Sequence, residues 1–229
     1  MKPPPFDYAR PSTLEEALDL LRTPGAKALA GGQSLLPLLN LRLAAPTLLV
    51  DVAALPGLDA ITSNGSGLTM GALVRHHRML DAPIPLLAQA ARHIGHVAIR
   101  NRGTLGGSLV HADPTAELAT AAVALDAELR LTARAGDRTV RAREFFQGPF
   151  MVDLAEDELL TEIAIPPRPH GERSAFLEVA PRQGDFAIVG VAVLARIEQG
   201  ALTGVTVAWS GAGPMPVRAD ELAAALEGA

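Results

Sequence analysis

Ile99 to Leu118 reads IRNRGTLGGSLVHADPTAEL. At its centre a Gly-Gly pair, Gly106 and Gly107, stands behind Thr104 and Leu105 and ahead of Ser108. A second such pair lies upstream in AGGQSL, Ala30 to Leu35. Glycine reaches backbone angles that other residues avoid, and it removes side chains that would hold a ligand off. Consecutive amide N–H groups in such a turn make an anion-binding concavity. A helical start is expected after each loop, where the partial positive charge favours phosphate. Two loops of this kind suit the pyrophosphate of a dinucleotide, gripped from two sides. Gln33, Ser34, Thr104 and Ser108 add side-chain donors, and Lys27 adds a full charge. On composition alone plain turns are the simpler account, since the chain holds 21 glycines. Neither loop has the spacing of a common nucleotide motif: no G-x-G-x-x-G follows a first strand, and no G-K-[ST] is present.

The bulk numbers narrow the function classes. The 229 residues suffice for one large domain or two smaller ones with a core that needs no staples. A formal charge of −5 argues against a nucleic-acid binder and against a basic membrane-surface protein. There is no cysteine, which excludes disulfides, a thiolate-held iron–sulfur cluster, a Cys nucleophile and a flavin tethered through sulfur. MKPPPFDYARP lacks the apolar region of a signal peptide, and the longest apolar run, Ala187 to Ala195, is too short to span a bilayer. A cytoplasmic location is therefore expected.

Periodicity predicts a helix over Ser12–Arg22, with Ser12 and Glu15 as a capping box. A short strand over Lys27–Ala30, a helix over Leu35–Asn40 and a strand over Thr47–Val52 make a small α/β unit around the first loop. A hairpin is expected over Leu58–Ala72 about Asn64-Gly65, then a helix over Pro85–Ile94 stopped by Gly95. His96–Asn101 reads as extended. Asp113-Pro114 reads as a helix start running to about Leu125. Glu128–Arg134 and Arg138–Val140 read as a hairpin about Gly136-Asp137, and Leu159–Ile165 as a strand. Pro166–Gly171 is the best boundary. Strands follow over Ser174–Ala180, Phe186–Ile197 and Leu202–Trp209, with a helix over Asp220–Leu226. The fold class is α+β, divided into residues 1–55, 56–170 and 171–229.

AGGQSLLPLLNLRL (Ala30 to Leu43), IGHVAIRNRGTLGGSLVHADPTAEL (Ile94 to Leu118) and RQGDFAIVGVA (Arg182 to Ala192) together resemble the FAD-binding medium subunit of molybdenum hydroxylases, the family of carbon monoxide dehydrogenase and xanthine dehydrogenase. The opening PPFDYARPSTLEEAL fits the same family, so the likeness covers essentially the whole chain. It implies the vanillyl-alcohol-oxidase/p-cresol-methylhydroxylase type of flavin fold, followed by a smaller C-terminal α/β domain. It also implies that both glycine loops hold FAD pyrophosphate: Lys27 with Ala30, Gly31, Gly32, Gln33, Ser34 and Leu35 on one side, and Thr104, Leu105, Gly106, Gly107 and Ser108 on the other. Glu117 falls where relatives place an acidic cofactor contact, and a carboxylate there suits ribityl or ribose hydroxyls. Asp113 and Leu160 fall at neighbouring ligand positions, and Ile99 to Asn101 near the isoalloxazine edge.

The function so implied is an electron-transfer subunit of a multi-subunit molybdenum hydroxylase. Electrons would pass from a small [2Fe–2S] partner through FAD to an external acceptor, with molybdopterin on a large partner. The absence of cysteine agrees with clusters carried on another chain. The matched loops offer Gln33 and Ser34 rather than histidine, so FAD is expected to be non-covalent. Family members are expected to run several tens of residues beyond Ala229, which makes the C-terminal unit short or truncated. Two alternatives stand beside this reading: a free-standing flavin oxidase or reductase, which would need a substrate acid or base that the sequence does not display, and a non-catalytic scaffold of the same fold.

Other constellations carry less. His93 and His96, with His111 and Asp113, have too few ligands at metal spacing and read as flanking a helix end and a loop. His111 lies near the second loop, where a cofactor or partner contact and a structural role are both open. His76 and His77 are adjacent and point apart, so at least one is a surface residue. Arg182 and Asp185 read as an ion pair across a turn. Arg100 and Arg102 flank the second loop, either beside phosphate or on a solvated face.

Overall fold

A computed structural model describes residues 2–65 and 67–229. The chain opens with β1 (Asp7–Ala9), α1 (Leu14–Leu21), β2 (Ala26–Leu29), α2 (Leu35–Asn40) and β3 (Leu48–Asp51). The three strands form a parallel sheet in the order β1-β3-β2. Parallel neighbours need crossovers, here α1 and α2, so β2 and β3 end at the same edge. Ala30–Ser34 leaves the sheet at that edge.

The cap of α1 lies one residue later than the sequence suggests. Thr13 accepts the Glu16 amide at 3.1 Å, while the Glu16 carboxylate accepts the Ser12 amide at 2.8 Å. That phase buries Ala17, Leu18 and Leu21, which decides the register.

Next come β4 (Ile61–Asn64), β5 (Gly67–Gly71), α3 (His76–Met79), α4 (Pro85–His93), α5 (Val97–Arg100), α6 (Leu105–His111) and α7 (Glu117–Ala124). The expected hairpin is formed by β4 and β5, and Ser66 lies outside the described residues. After α7 the chain runs through β6 (Glu128–Ala133), β7 (Gly136–Arg141), α8 (Ala142–Phe145), β8 (Phe146–Gly148), β9 (Met151–Val152) and β10 (Leu159–Ile165). An antiparallel sheet takes the order β4-β5-β10-β6-β7. β11 (Arg173–Val179), β12 (Val189–Glu198), β13 (Ala201–Ser210) and β14 (Val217–Arg218) form a third, antiparallel sheet, and α9 (Asp220–Leu226) packs on it.

α7 explains how the second and third sheets share a core. Leu118 through Ala124 are all buried, a pattern that marks a helix enclosed on every side. The helix packs on β12 and β13 of the third sheet, and its apolar residues belong to one buried cluster with Leu129 and Ile163 of the second sheet and Ala192 and Ala208 of the third.

Two expectations between Ile94 and Glu117 are corrected. His96–Asn101 is not extended: the amides of Ile99 and Arg100 both donate to the His96 carbonyl, and Val97–Arg100 winds one helical turn. Arg100 then donates to the carbonyls of Ile94 and Gly95, fastening this turn to the end of α4. Asp113 does not cap α7, which begins at Glu117. Its carboxylate instead accepts the Thr115 amide and hydroxyl at 2.9 and 2.8 Å. This local bond competes with helix capping, after Ala112 has closed α6 in the left-handed region at φ 51°.

Candidate functional site

In the first glycine loop Gly31 is buried, and Gly32, Gln33 and Ser34 are half-buried. Gly32 has φ +71°, a value that favours glycine. Among the described residues, the amides of Gly31, Gly32, Gln33 and Ser34 meet no acceptor. Ser34 stands at the start of α2, and among the described residues its side chain makes no cap bond. Gln33 turns its side-chain amide back onto the Gly31 carbonyl at 3.1 Å. Leu35 begins α2 and is half-buried, and Lys27 is exposed on β2.

The second loop is built differently from the sequence picture of a loop followed by a helix. Thr104 is the N-cap of α6, so Gly106 and Gly107 already lie inside its first turn. Their donors are taken up internally. Leu105 donates to Val74, Gly106 to Ala72, Gly107 to the Thr104 hydroxyl and Ser108 to the Thr104 carbonyl, at 2.8–3.1 Å. Gly106 is buried, and a Cβ there would stand 2.5 Å from the Ala72 methyl. Gly107 is exposed, and a Cβ there would meet only the Thr104 hydroxyl and, at 4.0 Å, the Ala30 methyl. The second loop thus offers a bare backbone surface and the half-buried Ser108 side chain rather than a row of amides.

The fold brings the two loops together. A Cβ on Gly31 would lie 2.3 Å from the Arg102 carbonyl oxygen and 2.9 Å from Gly103 Cα. Ala30 borders Gly107. Four free amides on one side and a side-chain-free surface on the other fit a diphosphate group, which needs donors and close backbone approach.

Acidic residues occupy the seam with the third sheet. Burial pushes the Glu117 carboxyl up to about 7, its own amide pulls it down, and the charges of Glu178 and Asp113 raise it further. Burial also raises Glu178, with His93 opposing. The two approach to 3.9 Å, and Glu178 Oε2 is buried without a partner among the described residues. Sequence reading passed over Glu178, although its signal was present: it shares the inward face of β11 with Phe176. His111 is lowered chiefly by burial, with the Asp113 charge raising it and the Lys27 charge lowering it. Leu160 is buried on β10, in the same core cluster as Leu105 and Leu109. Arg182 and Asp185 pair at 3.2 Å in the open. Among the described residues no three His, Asp or Glu side chains gather as a metal ion would require.

Residues 4–168 match the model of the FAD-binding domain in molybdopterin dehydrogenase, and residues 174–229 match the CO dehydrogenase flavoprotein C-terminal domain. The chain belongs to the FAD-binding medium subunits of molybdenum hydroxylases. Among the relatives of these subunits, it is 41% identical over 229 residues to the 6-hydroxypseudooxynicotine dehydrogenase complex subunit alpha of Paenarthrobacter nicotinovorans, covering 96% of this chain and 77% of that one. A chain of carbon monoxide dehydrogenase from Hydrogenophaga pseudoflava superposes with TM-score 0.96 at 37% identity, covering all of this chain and 82% of the other. Quinoline 2-oxidoreductase from Pseudomonas putida 86 gives TM-score 0.95 at 36% identity, with the same coverage. The fold is accordingly the FAD-binding α+β type with a small C-terminal domain, and the chain is an oxidoreductase subunit. No helix of the described residues is long and apolar enough to cross a membrane.

Proposed function

We propose that this chain carries non-covalent FAD as the electron-transfer subunit of a molybdenum hydroxylase. Residues 1–55 and 56–170 would form its two flavin-binding subdomains, and 171–229 a C-terminal flavoprotein unit. The observation that carries the proposal is the contact of Gly31 with Arg102–Gly103. It sets four unpartnered amides beside the bare surface of Gly107. Gly31, Gly32, Gln33 and Ser34 hold the pyrophosphate through their amides. Ser108 adds a hydroxyl, Lys27 a charge at the rim, and Ala30, Leu35, Thr104, Leu105, Gly106 and Gly107 shape the walls. Glu117 takes the sugar-like hydroxyls, with Asp113 and Leu160 as outlying neighbours. The cofactor, when bound, supplies the redox relay between a [2Fe–2S] partner and an external acceptor.

Molybdopterin belongs on a large partner and the [2Fe–2S] clusters on a small one, which a chain without cysteine cannot hold itself. The experiment is co-expression of the chain with its genomic neighbours, followed by purification through a tag on this chain. A complex with a molybdopterin-binding large subunit and a Cys-rich small subunit is expected. A lone chain that oxidises a substrate by itself would replace this reading with that of a free-standing flavoenzyme.

A further inference from the structure

Besides the Ile99 carbonyl, which accepts from the Arg102 and Gly103 amides at 3.1 and 2.7 Å, the second glycine loop is held from behind by the dipeptide Arg75-His76. Three consecutive carbonyls on the approach to the loop each accept from it. Arg75 Nη1 donates to Arg102, the His76 amide to Gly103 at 3.0 Å, and His76 Nε2 to Thr104 at 2.8 Å. A carbonyl can only accept, so Nε2 carries the ring proton. The strand-like pairing continues through Val74 and Ala72, which accept from Leu105 and Gly106, and Arg75 and Thr104 form an isolated antiparallel bridge.

The fit is close. His76 is buried, and a Cβ on Gly103 would stand 2.7 Å from its ring. On its other side the same Arg102–Gly103 backbone meets Gly31. Whatever fixes Arg102 to Thr104 therefore fixes the gap between the two glycine loops.

We propose that Arg75 and His76 are positioning residues for the diphosphate site: they touch no ligand, and they set the spacing of the loops that do. This inference rests on the reading of the loops as the FAD site. Burial holds the His76 imidazole down to about 4, so the ring stays neutral and keeps this single-donor arrangement near neutral pH. His77, its exposed neighbour, provides a control.

The test uses the full chain and five variants: Arg75→Met, Arg75→Lys, His76→Leu, His76→Gln and His77→Ala. FAD affinity is measured by titration, and backbone amide exchange is followed across Gly103–Ser108 without FAD. Arg75→Met and His76→Leu are expected to weaken FAD at least tenfold and to speed exchange in that segment. Lys and Gln, which retain a donor, should recover most of both, and His77→Ala should change neither. Folded Arg75→Met or His76→Leu protein that binds FAD within twofold of wild type would overturn the proposal. If His76→Leu does not fold, the half-buried Arg75 pair decides. If the wild-type chain itself binds no FAD, the reading of the site fails. The clamp on the loop is then judged by exchange alone, and unchanged exchange in Arg75→Met overturns it.

Discussion

Gly31 lies flat against the carbonyl of Arg102, with room for no atom between them: a methyl on Gly31 would sit 2.3 Å from that oxygen. The neighbours are backbone atoms of Arg102 and Gly103, which cannot swing aside as a side chain would. Gly31→Ala must therefore push the two loops apart. Overpacking of this kind costs about 1–3 kcal/mol. Urea unfolding should show a loss in that range, and FAD affinity should fall with it. Unchanged stability would mean that the loops are not in contact.

Gly106 and Gly107 are adjacent but do different things. Gly106→Ala drives a methyl into Ala72 and should cost stability. A Cβ on Gly107 would stand 2.6 Å from the Thr104 hydroxyl and 4.0 Å from the Ala30 methyl, so Gly107→Val is expected to weaken the helix cap, at a cost of about 1 kcal/mol. Its side chain would occupy the exposed surface opposite Ala30. Cooperative unfolding should survive in Gly107→Val while FAD affinity drops at least tenfold. A Gly107→Val protein that binds FAD like wild type would remove the second loop from the site.

Glu117 gives stability a pH signature. Its folded value of about 7 lies above the 4.5 of a free glutamate. Between those values the folded chain holds a proton that the unfolded chain releases, so this contribution is present below pH 4.5 and is lost as pH rises through 7. Glu117→Gln should be no more stable than wild type at pH 4.5 and more stable at pH 8, by roughly 3 kcal/mol at most. Chemical denaturation of both proteins across that range checks it. His76 contributes with the opposite sign between about 4 and 6.5, and comparing the two proteins at each pH cancels it. Parallel stability curves would place Glu117 in solvent.

Much of this was legible in the sequence because the signals were local. The β2–loop–α2 stretch and the hairpin of β6 and β7 follow from apolar spacing and turn residues within one window. The capping box slipped by one residue because Ser12 and Thr13 are both good caps and only the burial of Ala17, Leu18 and Leu21 chooses between them. The α7 start was misplaced because Asp113 had a nearer donor in Thr115 than any helix amide. The short strands β1 and β14 and the one-turn helices α3 and α8 had no periodicity to show. The site divides in the same way. Glycine pairs announce the loops, yet nothing local shows that the donors of Leu105 and Gly106 are already claimed by Val74 and Ala72, or that His76 reaches Thr104. Those partners lie some thirty positions away in sequence, and only the fold brings them together.

The most direct test is titration of the purified, flavin-free chain with FAD, followed by denaturation and recovery of the flavin. The predicted result is one FAD per chain, released intact into the supernatant on denaturation and bound at least tenfold more weakly by Gly107→Val. No saturable FAD binding, or flavin that stays attached to the denatured chain, would contradict the account.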